Sequence, residues 1–434
     1  MSQFIIQGGK KLSGSVTTNS SKNAAVALLS ASILNKGTTE LLNFPRIQEA
    51  DRIIEVLTSI GFKISWQTTH HLKISPPKKI KLENLNKEAA SKTRIILLFI
   101  GALIHDFKKF TLPRAGGCTL GKRSVNPHFF ALEEFGISQK LNKTSYSVSR
   151  KNLVPAKNLV LYESGDTVTE NALLVASKIS GLTTIKFASA NYQVQDLCYF
   201  LKSLGVKIEG IGTTTLKVRG LKNLKKNIRY SITEDPIESM FFISLAATTN
   251  SSITIKRCPI DFLELELLKL KKMGFKFKIL KNYKAKNGFS NLVDLKTFPS
   301  KLKALDDKIY GRPYPGLNID NLPFFVPIAT QAQGRTFIHD WAFENRAVYS
   351  VEFNKLGAQV TLTDQHRFFI DGPTKLKSAD ITAPPALRPG AVLIVGMLSA
   401  QGTSILRNIY SIERGYEDLS TRLKKLGAKI EKEN

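Results

Sequence analysis

One arrangement of apolar and polar positions recurs six times along the chain: an amphipathic helical stretch ending on a large apolar residue, then glycine, then a short alternating run. The copies read Ser59-Ile60-Gly61-Phe62-Lys63-Ile64, Glu134-Phe135-Gly136-Ile137, Ser203-Leu204-Gly205-Val206-Lys207-Ile208, Lys272-Met273-Gly274-Phe275-Lys276-Phe277, Lys355-Leu356-Gly357-Ala358-Gln359-Val360 and Lys425-Leu426-Gly427-Ala428-Lys429-Ile430. Glycine after a helix's last apolar residue accepts the left-handed conformation that ends the helix. The alternation after it predicts a half-buried strand. Upstream, Gly37-Thr38-Thr39, Gly181-Leu182-Thr183-Thr184, Gly334-Arg335-Thr336 and Gly402-Thr403-Ser404 predict strand starts. Each copy is therefore expected to run strand, helix, strand, helix, strand. Recurrence at roughly 70 to 85 residues marks a repeat architecture, and six α/β units in two lobes of three are expected.

A chain of 434 residues exceeds one ordinary core. The third unit ends at about Arg229, and Tyr230-Ser231-Ile232-Thr233 predicts a strand crossing to the second lobe. The N-terminal strand, Phe4 to Gly8, is expected to join that second lobe. Residues 1–21 and 234–434 would then form one lobe and 22–233 the other. Two lobes joined by two crossings suit a cleft that closes on its ligands. The longest apolar run, Ile95 to Ile104, is about half a membrane span and predicts a buried helix. The opening Met1-Ser2-Gln3-Phe4 has neither the basic region nor the apolar stretch of a leader, so a cytoplasmic protein is expected.

Charge adds an expectation about partners. Lys and Arg outnumber Asp and Glu by 63 to 35, a net charge of +28, which favours anionic partners such as nucleotides and phosphates. The lysines are dispersed, however, and the denser tracts Lys269–Lys272 and Arg422–Lys425 fall in amphipathic helical patterns, so the same charge also reads as solvated helix faces. A nucleic-acid binder would carry a recognition helix of clustered Arg or an aromatic stacking motif; the chain has neither, and nucleic acid and membrane are not expected partners. Cys118, Cys198 and Cys258 lack CxxC spacing, which argues against a zinc site or disulfide framework and suits a reducing cytosol.

Candidate chemistry gathers in a few segments. Ser21-Lys22-Asn23-Ala24-Ala25 opens a helix, where unpaired backbone N–H groups and a lysine suit phosphate; an ordinary solvated first turn reads the same. Arg114-Ala115-Gly116-Gly117-Cys118-Thr119-Leu120-Gly121-Lys122-Arg123 places a cysteine among cations in a glycine-rich loop, the setting of a low-pKa, reactive thiol. Cys198 and Cys258 lack that setting and read as packed residues. In Pro313-Tyr314-Pro315-Gly316-Leu317-Asn318-Ile319-Asp320-Asn321 the acid serves either as N-cap of a helix Leu322–Gln331 or as a general base. Arg346, Arg388 and Arg414 occupy the fifth and sixth units, at the entries to their helices; three cations from separate elements suit a small polyanion.

Together these segments resemble the enolpyruvyl transferases, specifically the UDP-N-acetylglucosamine 1-carboxyvinyltransferases and their shikimate-pathway relatives. The resemblance runs from Gln7-Gly8 to Gly427. It rests on Lys22-Asn23, Gly116-Gly117-Cys118, Phe343-Glu344-Asn345-Arg346 and Arg414-Gly415-Tyr416, in family order. It implies an α/β fold of two lobes, each three repeated units around a pseudo-threefold axis (an inside-out α/β barrel), with the active site between them. It implies transfer of the enolpyruvyl group from phosphoenolpyruvate to UDP-N-acetylglucosamine, the first committed step of peptidoglycan synthesis, with no metal or cofactor. By resemblance, Lys22, Asn23, Arg123, Arg388 and Arg414 hold phosphoenolpyruvate. Asn23, Arg94, Arg123, Ser124, Val125, Asn126, Pro127, Asp320 and Ala342 hold the UDP-sugar. Lys22, Cys118 and Asp320 are the catalytic candidates: Cys118 matches the loop cysteine implicated in proton donation and product release, and the target of fosfomycin, and Asp320 the base on the sugar 3-hydroxyl. Arg346 has a supporting role. The chain departs from the family pattern at Ala386 and Asn126, where an Asp is usual, and at Pro236, where an Arg is usual. Those departures keep open a paralogous enzyme acting on another nucleotide or nucleotide sugar.

Overall fold

A computed structural model describes residues 2–116 and 124–433. Its chain divides into two compact units. One holds Ser20–Gly117 and Ser124–Thr233; the other holds Met1–Asn19 and Glu234–Asn434. Among the described residues no helix is long and apolar enough to cross a membrane.

The six repeat glycines all adopt positive φ: 106° at Gly61, 82° at Gly136, 105° at Gly205, 89° at Gly274, 81° at Gly357 and 89° at Gly427. In five of the copies the N–H one residue past the glycine donates to a carbonyl five residues earlier: Phe62 to Leu57, Val206 to Leu201, Phe275 to Leu270, Ala358 to Phe353 and Ala428 to Leu423, at 2.9–3.1 Å. That bond closes the helix end in a Schellman turn. The apolar residue before each glycine (Ile60, Phe135, Leu204, Met273, Leu356, Leu426) is buried. The helix thus ends by turning its last large side chain into the core and sending the chain back as a strand.

Beyond the glycine the chain forms a hairpin, not the single strand expected. Lys63–Thr68 pairs with His71–Ser75, Ile137–Leu141 with Ser145–Arg150, Lys207–Glu209 with Thr215–Gly220, Lys276–Lys284 with Asn291–Phe298, and Gln359–Leu362 with Arg367–Gly372, all antiparallel. The observed order is strand, outer helix, hairpin, inner helix. The outer helix of the fifth copy, Ala347–Leu356, is 3-10. In the sixth copy the hairpin's return strand is supplied by Gln3–Gln7, which lies antiparallel between Thr403–Arg407 and Lys429–Glu433.

Among the described residues each unit carries three sheets. The first unit has two four-stranded sheets and one of three strands; the second has three of four strands. The inner helices are enclosed by protein along most of their length, and the polar groups they carry, such as Glu170, Asn171 and Glu238, are buried with them. In the first unit Leu98–Leu103 packs on both Lys22–Ala31 and Asp166–Ala176. In the second, every residue of Pro236–Thr248 and Phe325–Thr330 is buried, and both pack against Leu387–Ser399. Helices inside and sheets outside make each unit an inside-out α/β barrel. The run Ile95–Ile104 is such an inner segment, beginning as the 3-10 turn Arg94–Leu97.

The left-handed turns carry a testable cost. A Cβ added at Gly357 meets nothing within 4 Å, so Gly357→Ala should cost only the left-handed strain, about 1–2 kcal/mol. At Gly274 the added carbon would stand 2.8 Å from the Lys301 carbonyl oxygen, and Gly274→Ala should cost more. Urea midpoints of the two variants measure this; the reverse order would contradict it.

Candidate functional site

In the second unit the structure gathers Asp320, Arg346 and Arg388. Asp320 lies in the loop before the turn Leu322–Phe324, whose N-cap position is taken by Asn321 without a side-chain cap bond. Asp320 is therefore not the helix cap. The loop is tied down from below by buried Glu266, whose Oε1 accepts from the Asn318 N–H (3.1 Å) and from Asn321 Nδ2 (2.8 Å). Burial raises the Glu266 carboxyl above its ordinary range, and these two bonds oppose the shift. Asn318 in turn accepts from the Asp320 N–H at 2.9 Å. The Asp320 carboxylate is left between two guanidiniums, with Oδ1 3.7 Å from Arg346 Nη1 and Oδ2 3.7 Å from Arg388 Nη2.

Arg388 stands in the first turn of the inner helix Leu387–Ser399 and is 7% exposed. Its Nη1 donates to the Tyr416 hydroxyl at 3.1 Å. Burial pushes the Tyr416 phenol far above its ordinary value, so it stays neutral and accepts that bond. Arg414 is two residues before Tyr416. It follows the short helix Tyr410–Glu413 rather than opening one, a correction to its expected place at a helix entry. Ala386, at the N-cap of the Arg388 helix, gives it no side-chain cap. An acid does approach Arg388 from another element: buried Asp235 caps Pro236–Thr248 by accepting from the N–H groups of Ile237 (2.8 Å) and Glu238 (3.4 Å). Burial raises the Asp235 carboxyl and the Arg388 charge lowers it. Pro236 occupies the first turn of that helix, where proline needs no N–H partner. Ala342 precedes the Phe343–Arg346 turn, and neighbouring Trp341 donates to the Gly311 carbonyl at 2.7 Å.

In the first unit Lys22 and Asn23 begin the inner helix Lys22–Ala31. Ser21 caps it by accepting from the Ala24 N–H. Asn23 Nδ2 donates to the buried Tyr192 hydroxyl at 3.3 Å. Arg94 and Ser124 meet: Arg94 Nη2 donates to the Ser124 carbonyl at 2.9 Å. Ser124 Oγ then accepts from the Asn126 N–H at 3.1 Å, and Asn126 and Pro127 open the helix Asn126–Glu133 after Val125 at its N-cap. Cys118 and Arg123 lie outside the described residues. Cys198 and Cys258 are buried, and burial raises both thiols, Cys258 to about 12, as packed cysteines require. Among the described residues no cluster of three or more His, Cys, Asp or Glu could hold a metal ion.

Residues 6–433 match the family model of EPSP synthase (3-phosphoshikimate 1-carboxyvinyltransferase). The chain belongs to the EPSP synthase family. Relatives within this family include the UDP-N-acetylglucosamine 1-carboxyvinyltransferases of Bradyrhizobium diazoefficiens, 33% identical over 99% of this chain and 98% of the relative, and of Treponema denticola, 33% identical over 99% of each. The EPSP synthase fold is shared with solved structures. The enolpyruvyl transferase NikO from Streptomyces tendae superposes with a TM-score of 0.85 at 22% identity, covering 100% of this chain and 99% of its own. EPSP synthase from Acinetobacter baumannii superposes with a TM-score of 0.75 at 18% identity, covering 100% of both chains.

Sequence reasoning passed over four residues around Asp320 and Arg388: Glu266, Asp340 and Asp235, which no motif flagged, and Tyr416, quoted only as part of a motif. Each acts through a partner distant in sequence, and the one local signal was Asp340 six residues before Arg346 at the end of Gly334–His339.

One buried acid gives the first unit a pH dependence. Glu170 is enclosed in Asp166–Ala176 and accepts from Gln193 Nε2 at 3.0 Å; burial, then neighbouring Asp166, raises its carboxyl to about 8. The folded state keeps this proton at neutral pH while the unfolded chain releases it near 4.5. Stability should therefore fall as pH rises from about 4.5 to 8, by at most about 1.4 kcal/mol per pH unit. Glu170→Gln should flatten that fall. Urea titrations at pH 5 and pH 8 check it, read by Trp66 with Trp341 replaced by Phe; an unchanged profile would remove Glu170 as the cause.

Proposed function

We propose that this chain is an enzyme that transfers the enolpyruvyl group of phosphoenolpyruvate to the 3-hydroxyl of UDP-N-acetylglucosamine, releasing phosphate. The observation that carries this reading is end-to-end similarity, at 33% identity, to enzymes named for that reaction. The reaction would be the first committed step of peptidoglycan synthesis and would run in the cytoplasm, on small-molecule substrates.

The chemistry is addition then elimination. Asp320 takes the proton of the sugar 3-hydroxyl, the oxygen bonds to C2 of phosphoenolpyruvate, and C3 gains a proton, with Cys118 as donor. The resulting phospho-ketal loses the C3 proton and the C2–phosphate bond breaks, leaving an enolpyruvyl ether and phosphate. Lys22, Arg123, Arg388 and Arg414 balance the phosphate and carboxylate charges; such preorganised cations stabilise charge most where water is excluded. Asn23, Arg94 and the stretch from Ser124 to Pro127 hold the nucleotide sugar with Asp320 and the backbone at Ala342. The Arg94–Ser124 bond supports this, since it braces the start of that stretch.

One observation favours a second reading. Asn126, exposed at the start of its helix, stands where the family usually has an acid, so the acceptor could be a different nucleotide or nucleotide sugar. Phosphate release from phosphoenolpyruvate across a panel of UDP-sugars and free nucleotides separates the two. Release only with UDP-N-acetylglucosamine is expected, and release with another acceptor alone would overturn the first reading.

In the same assay Asp320→Asn should keep the fold and lose about 10²–10⁴-fold in turnover, the usual contribution of a general base. Retained activity with a lowered melting temperature would make the acid a scaffold residue. Fosfomycin should add once, at Cys118, and faster with UDP-N-acetylglucosamine present; peptide mass mapping that finds the adduct on Cys198 or Cys258 would refute the assignment.

A further inference from the structure

Arg346 is 2% exposed, and an interior guanidinium persists only when its hydrogen-bonding capacity is met. Two of its three nitrogens are hydrogen-bonded. Nε and Nη2 fork onto Asp340 at 2.6 and 2.7 Å, and Nη2 also donates to the Ile319 carbonyl at 2.8 Å. The Phe343 ring lies 4.4 Å beneath the guanidinium. Asp340 is itself fixed, its N–H donating to the His366 carbonyl at 2.8 Å and its own carbonyl facing His366 Nδ1 at 3.0 Å. The cavity beside the Asp340–Arg346 pair is lined chiefly by apolar side chains, among them Leu322, Val326, Ile338, Phe368 and Val392. The remaining nitrogen, Nη1, is 3.7 Å from Asp320 Oδ1. One planar group, aligned by Asp340, therefore hydrogen-bonds the carbonyl just before Asp320 and stands at ion-pair distance from a carboxylate oxygen of Asp320.

We propose that Arg346 is a positioning residue. It orients the Asp320 carboxylate for the acceptor hydroxyl and acts through Asp320. This rests on the reading of Asp320 as the base. A lysine keeps one positive charge for Asp340 but, lacking the fork, cannot also reach the Ile319 carbonyl and Asp320. Misplacing a reacting group by about 1 Å costs up to about 10²-fold.

The test is a double-variant cycle read by steady-state phosphate release over a range of phosphoenolpyruvate concentrations. Arg346→Lys should lower kcat roughly 10–100-fold while KM for phosphoenolpyruvate stays within about threefold. In the Asp320→Asn background the same change should alter the rate by no more than about twofold, because the residue it acts through is gone. An equal loss in both backgrounds would overturn the proposal, since that is how a purely structural arginine behaves. If Arg346→Lys does not fold, Asp340→Asn, which loosens the fork and leaves Arg346 in place, enters the same cycle with the same two outcomes. A wild-type rate for Asp320→Asn alone would sink the base assignment; a slow Asp320→Asn with additive losses would sink only the positioning role.

Discussion

A left-handed residue at the foot of a helix governs this molecule. In an L-residue that conformation presses Cβ against the following carbonyl, so glycine alone takes it freely. Once it is taken, the chain reverses beside the helix it has just left. The residue before the turn is driven inward and the one after it begins a strand on the same core. Repeated at Gly61, Gly136, Gly205, Gly274, Gly357 and Gly427, the turn places an outer helix against a sheet six times. The inner helices, mostly apolar and buried, then fill the middle of each set of three.

The charged groups of the second unit sit on this frame in matched pairs. Asp340 answers Arg346, Tyr416 and Asp320 answer Arg388, and Glu266 answers the amides of the Asp320 loop. Helix starts do much of the placing. Arg388 stands in the first turn of one inner helix while Asp235 caps another, so a carboxylate that feels that arginine's charge belongs to a different repeat from the arginine itself. With alanine at position 386, the negative charge near Arg388 comes from Asp235 and Asp320, each also committed to a backbone task or a second arginine.

The repeat was legible because its signal is local: apolar spacing, a glycine, an alternation. The first hairpin was not, because its turn Thr69-His70 carries no Asn-Gly or Gly-Gly signature, and the fourth, whose connection does contain Asn287-Gly288, was passed over. The 3-10 winding of Ala347–Leu356 was likewise invisible to a pattern that records only which positions are apolar. In the second unit, the residues of the Asp320 cluster carried by short motifs could be named from sequence: Asp320, Arg346 and Arg388. Their partners could not. Glu266 and Asp340 look like ordinary acids until the fold brings Asn321 to one and Arg346 to the other, and Arg414 was misjudged because a four-residue helix leaves almost no periodicity to read.

The strand Gln3–Gln7 has a further consequence for biosynthesis. Its two neighbours are Thr403–Arg407 and Lys429–Glu433, so this inner strand has no partners until about four hundred further residues have emerged from the ribosome. The other unit, drawn from the stretch between Ser20 and Thr233, can collapse as soon as that stretch is made. During translation Gln3–Gln7 therefore waits as an unpaired strand while a finished unit forms behind it. Pairings of such long sequence separation are also the slow ones, and this interval is when a nascent chain of this design most needs protection from joining its edge to another's.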